Sequence, residues 1–156
     1  MDLRSRLEYF HKEHDEILRF LNDWESALKM AASDRDDERR KGLAELRRFE
    51  NELLSIEEHC HAEERTVDSP FEIYLDDVSL ARLAQEHELL RQLSTDFLRE
   101  LRFATVMRTT EVVGLGNALL EQLRRHIAHE ALLLRQIEEG RAAEEKLLLR
   151  YTDSAG

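Results

Sequence analysis

The sequence predicts an all-α protein, an up-down-up-down four-helix bundle formed by a single domain. Apolar side chains recur at three- and four-residue spacings along four long segments, which is the period of an amphipathic helix. The 156 residues include only five glycines and one proline, so turns are few. All-β sandwiches and barrels need turn residues about every ten positions, and the sequence therefore excludes them.

The first two predicted helices each carry an apolar stripe that is interrupted by titratable side chains. In the first stripe His14 takes one apolar position, and the other members are Leu7, Phe10, Ile17, Leu21, Trp24 and Leu28. The charged run 33–40 separates the two helices. The second stripe reaches Cys60 and Glu63, with His59 at its shoulder, and begins with Leu46, Phe49, Leu53 and Ile56. Both helices therefore bring polar groups toward the bundle core.

The third and fourth predicted helices repeat this arrangement. Pro70 lies in the stretch DSPFEIYLDD and cannot occupy a helix interior, so the third helix begins after it. His87 interrupts the third stripe, whose other members are Leu80, Leu83, Leu90, Ser94, Phe97 and Leu101. Thr109 and Thr110 are N-cap candidates for the fourth helix. Its stripe consists of Val112, Gly116, Leu119, Leu123, His126, Glu130, Leu133 and Ile137.

The carboxyl-terminal part of the chain is predicted to form a short additional helix and a flexible tail. Residues 1–150 are expected to form the domain, and residues 151–156 a flexible tail. After Gly140 the segment AAEEKLLLRY is predicted to form a short fifth helix that covers one end of the bundle. Leu147 to Leu149 would either close that end or contact a second subunit, as in a homodimer.

Composition restricts the location and the partners of the protein. No segment approaches the ~18 apolar residues of a bilayer span, and the charged amino-terminal segment lacks the apolar block of a secretory signal. Cys60 is the only cysteine, so no intrachain disulfide can form. A formal net charge of -11 repels phosphate backbones and anionic membranes. We therefore expect a soluble cytoplasmic protein that binds neither nucleic acid nor a membrane.

The histidines on the four stripes are predicted to lie in one layer of the core. In antiparallel helices two residues are level when they are equally far from the turn between them. The relevant set is the four stripe histidines, His14, His59, His87 and His126. The sequence position midway between each histidine and the next falls inside or beside one of the three predicted breaks. Because turn chemistry alone defines those breaks, the agreement predicts that four imidazoles meet at one level.

The chain also contains an internal repeat. The segment KEHDEILRFL around His14 is similar to QEHELLRQL around His87, and an HxxxE element follows each of them. The two residues of an HxxxE element share one helix face, because they are four positions apart. Residues 1–66 and 78–139 are therefore predicted to be two copies of one helical hairpin.

The polar side chains of this layer are candidate metal ligands, namely His14, His59, Glu63, His87, His126 and Glu130. Two hairpins related by an approximate two-fold axis would place two His-His-Glu sets face to face. That arrangement suits two metal ions some 3.5 to 4 Å apart, bridged by the two carboxylates. Imidazole and carboxylate ligands suit iron, and Zn and Mn bind the same ligand types. Without cations the layer would be a buried acidic cluster, which is costly.

Other polar residues have less specific interpretations. A single histidine on an apolar stripe is usually a core residue with a partner, so only the set indicates metal. His11, His61 and His129 are expected at the surface or outside the ligand set, although periodicity alone leaves His61 and His129 open. Cys60 is expected to be a small core residue or a thiol beside the site rather than a ligand, because its neighbour His59 points the other way around the helix. Arg91 either pairs with a carboxylate near the site or is solvated.

The pattern resembles the hemerythrin-like HHE cation-binding domains, which are four-helix bundles with a non-haem di-iron centre. The matching residues are the dipeptides Glu13-His14 and Glu86-His87 and the two HxxxE elements, over about residues 7–137. The resemblance implies that the four histidines of the layer are metal ligands. It also implies that the two HxxxE glutamates bridge two irons.

The chain departs from the oxygen-carrying hemerythrins at two positions. Those proteins have a further histidine where this chain has Arg91, and an aspartate where it has Ala131. A site with fewer imidazoles and more carboxylate is expected to be more open and more easily oxidised. This difference argues against simple reversible oxygen storage.

These observations predict a di-iron protein that binds O2 or reacts with a small oxidant such as peroxide or nitric oxide. Catalase-like or oxidase-like turnover is one form that this reaction could take. The alternative is an iron or oxygen sensor, or an iron-handling module, whose output is a conformational change rather than turnover. A third interpretation, a metal-free interaction bundle, predicts purified protein without stoichiometric transition metal.

Overall fold

The computed structural model describes residues 2–65 and 69–153 and is almost entirely helical. These residues form six helices, α1 Leu3–Ala31, α2 Asp36–Arg48, α3 Glu50–Arg65, α4 Pro70–Tyr74, α5 Asp77–Phe103 and α6 Thr110–Asp153. None of the six has an apolar stretch that would span a bilayer.

The long helices form a four-helix bundle. Helix α1 packs against α2 and α6, and α5 packs against α6 and α3. The consecutive helices α2 and α3 therefore act as one rod, and the four rods form a closed ring with neighbours adjacent in sequence. The prediction of an all-α bundle is confirmed.

The second rod is broken at Phe49, where the stripe pattern predicts one continuous helix. The Phe49 N–H donates to the Leu46 carbonyl at 3.2 Å, an i to i−3 bond that tightens the last turn of α2. The Phe49 ring packs edge-on against Phe20 of α1, with 5.2 Å between the ring centres. Neither proline nor glycine marks this break, so local sequence signals could not reveal it.

The connection around Pro70 contains a helix of its own. Ser69 caps α4 by accepting a hydrogen bond from the Phe71 N–H at 3.3 Å, and Pro70 occupies the first turn. Phe71 is fully buried, and its ring lies 5.9 Å from that of Phe10. The predicted break is confirmed for its described part, and residues 66–68 lie outside the described residues.

The last helix is longer than predicted. Residues 141–153 continue α6 through Gly140, where the backbone keeps a negative φ, so the prediction of a separate fifth helix is wrong. A helix ends at glycine when that residue adopts the left-handed conformation, which does not occur here. The side chains of Leu147, Leu148 and Leu149 are more than half exposed. Of the predicted tail, residues 151–153 belong to α6 and residues 154–156 lie outside the described residues.

Two apolar clusters occupy the core on either side of a polar layer. The larger cluster is centred on Trp24, Phe97 and Leu119 and fills the end of the bundle near the α1–α2 connection. The smaller cluster includes Phe10, Phe71 and several leucines of α5 and α6. The stripe histidines of α1, α5 and α6 lie between the two clusters along their helices, so the fold encloses the polar layer in hydrocarbon on both sides.

Candidate metal centre

The structure brings all six predicted site residues together in one buried layer. Helix α1 supplies His14, α3 supplies His59 and Glu63, α5 supplies His87, and α6 supplies His126 and Glu130. None of these residues is more than 7 % exposed. The level arrangement predicted from the turn positions is therefore present in the fold.

The first half-centre, as we call it, consists of His14 and His59 together with one carboxylate oxygen each from Glu63 and Glu130. His59 Nε2 lies 2.8 Å from Glu63 Oε1, and His14 Nε2 lies 2.8 Å from Glu130 Oε2. The crossed distances are longer, 3.7 Å from His14 Nε2 to Glu63 and 3.9 Å from His59 Nε2 to Glu130. One donor atom from each of these residues falls within 4.8 Å of all the others.

The second half-centre consists of His87 and His126 with the remaining oxygens of the glutamates. His87 Nε2 lies 3.3 Å from Glu63 Oε2 and 3.3 Å from Glu130 Oε1. His126 Nε2 also contacts Glu130 Oε1, and the two Nε2 atoms of His87 and His126 are 2.9 Å apart. The other three donor atoms therefore all lie within 3.3 Å of His87 Nε2.

Each glutamate extends between the two half-centres. Glu63 directs Oε1 toward the first pair of histidines and Oε2 toward His87. Glu130 directs Oε2 toward His14 and Oε1 toward the second pair. This division of the two oxygens is the geometry in which a carboxylate can bridge two cations.

Several of these buried atoms have no hydrogen-bond partner among the described residues. They are both ring nitrogens of His14, His59 Nε2, both Glu63 oxygens and Glu130 Oε2. Some of them lie within 2.8 Å of one another, but without the alignment of a hydrogen bond. Unpartnered buried polar atoms carry a large desolvation cost. A cation placed between them would remove that cost, so the donor set fits divalent metal ions.

The metal-free layer is held together by charge. Burial opposes protonation of His59, but the Glu130 and Glu63 carboxylates outweigh it and raise the pKa of its imidazole to about 11. Burial also opposes protonation of His87, but Cys60, followed by Glu130 and Glu63, outweighs it and raises the pKa of His87 to about 12. Burial would raise the pKa of Glu130, but contacts with the histidines hold it well below 4.5. Metal ions must therefore displace protons from the imidazoles.

A second carboxylate orients one histidine in each half-centre. Glu13 lies 2.6 Å from His59 Nδ1, and Glu86 lies 2.8 Å from His126 Nδ1. In both cases the contact occupies Nδ1 and leaves Nε2 facing the centre, as second-layer carboxylates do for metal-ligating histidines. In the sequence, Glu13 and Glu86 are recognisable only as the first residues of the two EH dipeptides. Their partners lie on other helices, so only the fold reveals this function.

The remaining histidines lie outside the convergent set. His11 Nε2 is 2.9 Å from Glu138 at the partly exposed edge of α1, and His61 is exposed. His129 Nδ1 is 2.9 Å from the same Glu86 that contacts His126. Arg91 is partly exposed and lies 3.4 Å from Glu88.

Cys60 lies at the second half-centre. The thiol is 5 % exposed, and its sulfur lies within 4.8 Å of donor atoms of Glu63, His87 and His126. Burial would raise the pKa of the thiol, but the imidazoles of His126 and His87 lower it overall. Cys60 is therefore both a member of the larger apolar cluster and a thiol beside the site, as expected.

Two cavities reach the layer from different sides. One of about 210 Å³ touches His59 and is lined mainly by Ile17, Phe20, Ile56 and three glutamates. The other, of about 370 Å³, touches His87 and Glu63 and is lined by Phe71 and residues of the first turns of α5. Such volumes lie at or below the lower end of the range for organic ligands.

Comparison with known proteins identifies the family. The model of the hemerythrin HHE cation binding domain matches residues 5–137, which is most of the chain. Searches of the curated proteins and of the solved structures found no match. The family description agrees with a buried donor set that could hold cations. The chain therefore belongs to the hemerythrin HHE cation-binding domain family.

Proposed function

We propose that this protein holds two iron ions in the polar layer and uses them to bind O2 or to react with a small oxidant such as peroxide or nitric oxide. The observation that carries the proposal is the division of the Glu63 and Glu130 oxygens between two pairs of histidines. One ion would be held by His14 and His59, and the other by His87 and His126. Both carboxylates would bridge them.

The ligand types favour iron over harder or softer cations. Imidazole with carboxylate suits non-haem iron, and a centre of this kind supplies reversible electron transfer and open positions for a diatomic or peroxide ligand. Zn and Mn fit the same donors, so metal identity is part of the test.

The chain itself supplies orientation and exclusion of water. Glu13 and Glu86 accept hydrogen bonds from the Nδ1–H groups of His59 and His126, which keeps the Nε2 lone pairs directed inward. The apolar clusters on both sides of the layer limit access of water. The two small cavities provide approaches for a small molecule rather than for an extended substrate.

The test is to count the metal and then measure the reaction. We expect about two irons per chain by elemental analysis, an absorption band of ferric iron, and consumption of peroxide or a spectral change on adding O2 or nitric oxide. Replacement of His59 or His126 by alanine should abolish metal loading, whereas His11→Ala should leave it intact. Equal loss in all three variants would contradict the ligand assignment.

The alternative function, a sensor or iron-handling module, gives a different result in the same experiment. Iron should then raise the melting temperature strongly, because metal binding contributes directly to folding free energy, yet the loaded protein would not consume oxidant. Protein purified without stoichiometric transition metal would contradict both proposals and favour an interaction bundle.

A further inference from the structure

Cys60 and its neighbour His59 face different halves of the centre. One residue along a helix corresponds to a rotation of about 100°, so His59 directs Nε2 to the first half-centre while Cys60 directs its sulfur to the second. The sulfur lies with donor atoms of Glu63, His87 and His126 in a group whose members are all within 4.8 Å of one another. Each of these residues is buried.

An independent observation indicates that a ligand belongs at this point. Glu63 is 2 % exposed, and neither of its carboxylate oxygens has a hydrogen-bond partner among the described residues. Its Oε2 atom faces the second half-centre, 3.3 Å from His87 Nε2. Only the charge of the neighbouring imidazoles balances this buried carboxylate, and a cation placed among the donors would offset its desolvation directly.

We propose that the Cys60 sulfur is a ligand of the metal ion in the second half-centre. The inference rests on the proposed two-metal function. On binding, the S–H bond of Cys60 is replaced by a sulfur–metal bond and the proton leaves to solvent, with no change in oxidation state. The second ion then has a soft, negatively charged donor that the first ion lacks.

The consequence is a centre with two unequal positions. The first half-centre offers two imidazoles and two carboxylate oxygens, and the second offers these plus a thiolate. Three negative charges then face the four positive charges of two divalent ions, rather than two. Thiolate ligation favours softer metals, so the second position should bind zinc or ferrous iron more tightly than the first.

X-ray absorption of the zinc-loaded full chain tests the proposal without any assay of activity. Zinc is redox-inert, and a Zn–S distance of about 2.3 Å is distinct from Zn–N and Zn–O distances of about 2.0 to 2.2 Å. We expect one sulfur scatterer for every two zinc ions in the wild-type protein. The sulfur signal should be absent in Cys60→Ser and unchanged in His61→Ala, a variant of an exposed position on the same helix.

The outcomes separate this inference from the proposed function. Two zinc ions bound by nitrogen and oxygen alone would overturn the cysteine ligand and leave the two-metal site standing. Wild-type protein that binds no stoichiometric zinc or iron would overturn both. The wild-type spectrum decides the question even if Cys60→Ser fails to fold. Cobalt loading provides a second measurement, because a thiolate-to-cobalt charge-transfer band should be present in wild type and absent in Cys60→Ser.

Discussion

The two hairpins of this bundle build the same polar arrangement on different scaffolds. In each hairpin a glutamate of the first helix orients a histidine of the second, Glu13 with His59 and Glu86 with His126. The first hairpin has a broken second rod and carries the cysteine, whereas the second has an uninterrupted helix α6. Both hairpins repeat the histidines, the HxxxE glutamate and the orienting carboxylate. The differences between the hairpins therefore affect only what surrounds each half-centre.

The surroundings of the two half-centres differ in three respects. Cys60 lies only at the second, and Glu86 there contacts His129 in addition to His126. The cavity at His87 is also larger than the one at His59, about 370 Å³ against 210 Å³. A centre made from two similar halves can therefore offer a small molecule two unequal approaches.

The largest expected effect comes from a residue that both half-centres share. Glu130→Gln keeps the shape of the side chain but removes the charge that faces all four histidines, so both ions should be lost. Elemental analysis of the purified variant measures this loss. Glu139→Gln, an exposed position on the same helix, is the control and should retain both ions. Two ions per chain in Glu130→Gln would contradict the bridging assignment.

A smaller effect is expected from the orienting carboxylates, and it should be confined to one half-centre at a time. Glu13→Gln should weaken metal binding at the first half-centre, and Glu86→Gln at the second, by about 10- to 100-fold each. Competition with a chelator measures the two affinities. Glu16→Gln and Glu88→Gln change exposed neighbours and should have no effect. Equal weakening at both positions by either variant would show that the halves do not act separately.

The helix contacts far from the centre should also differ between the hairpins. A Cβ at Gly42 would lie 2.3 Å from the backbone nitrogen of Ala31, so Gly42→Ala forces two backbones apart and should cost about 1 to 3 kcal/mol of unfolding free energy. A Cβ at Gly116 would meet the side chains of Leu28 and Phe97 instead of backbone, and the cost should be smaller because side chains can shift. Gly114 has open space, and Gly114→Ala should stabilise by about 0.5 to 1 kcal/mol. Urea unfolding gives all three values, and the reverse order would contradict the close approach at Gly42.

The smallest effect concerns the metal-free protein and its pH dependence. The Glu130 and Glu63 carboxylates outweigh burial and raise the pKa of His59 from 6.5 to about 11. Contacts with Cys60 and then with the same two carboxylates raise the pKa of His87 to about 12. Their contribution to stability is therefore complete below pH 6.5 and is lost as the pH rises through these values. The pKa of Glu130 is held below 4.5, so its contribution is present above pH 4.5 and is lost as the pH falls.

Chemical unfolding of protein freed of metal by a chelator should accordingly give the highest unfolding free energy between about pH 4.5 and 6.5. The decline above this range should be weaker in His87→Ala, which removes the imidazole whose pKa is raised to about 12. A free energy that stays constant through the alkaline range would contradict the stabilising ion pairs.

Much of the fold and of the candidate centre follows from periodicity in the sequence. The spacing of three and four residues predicted the long helices, and equal distances from the turns predicted one level for His14, His59, His87 and His126. The internal break at Phe49 could not be predicted, because a contact with Phe20 on another helix accompanies it. The continuation of α6 past Gly140 was also missed, because a glycine without a left-handed backbone does not end a helix.

The sequence by itself determined which residue types meet at which depth, since helical periodicity and turn positions are local properties. It could not determine how the oxygens of Glu63 and Glu130 divide between the histidine pairs, or that Glu13 and Glu86 contact histidines of neighbouring helices. It also left the role of Cys60 open, because the stripe places this residue toward the core without showing which donor atoms its sulfur meets. Those features depend on how each helix is rotated against its neighbours, and only tertiary packing sets that rotation.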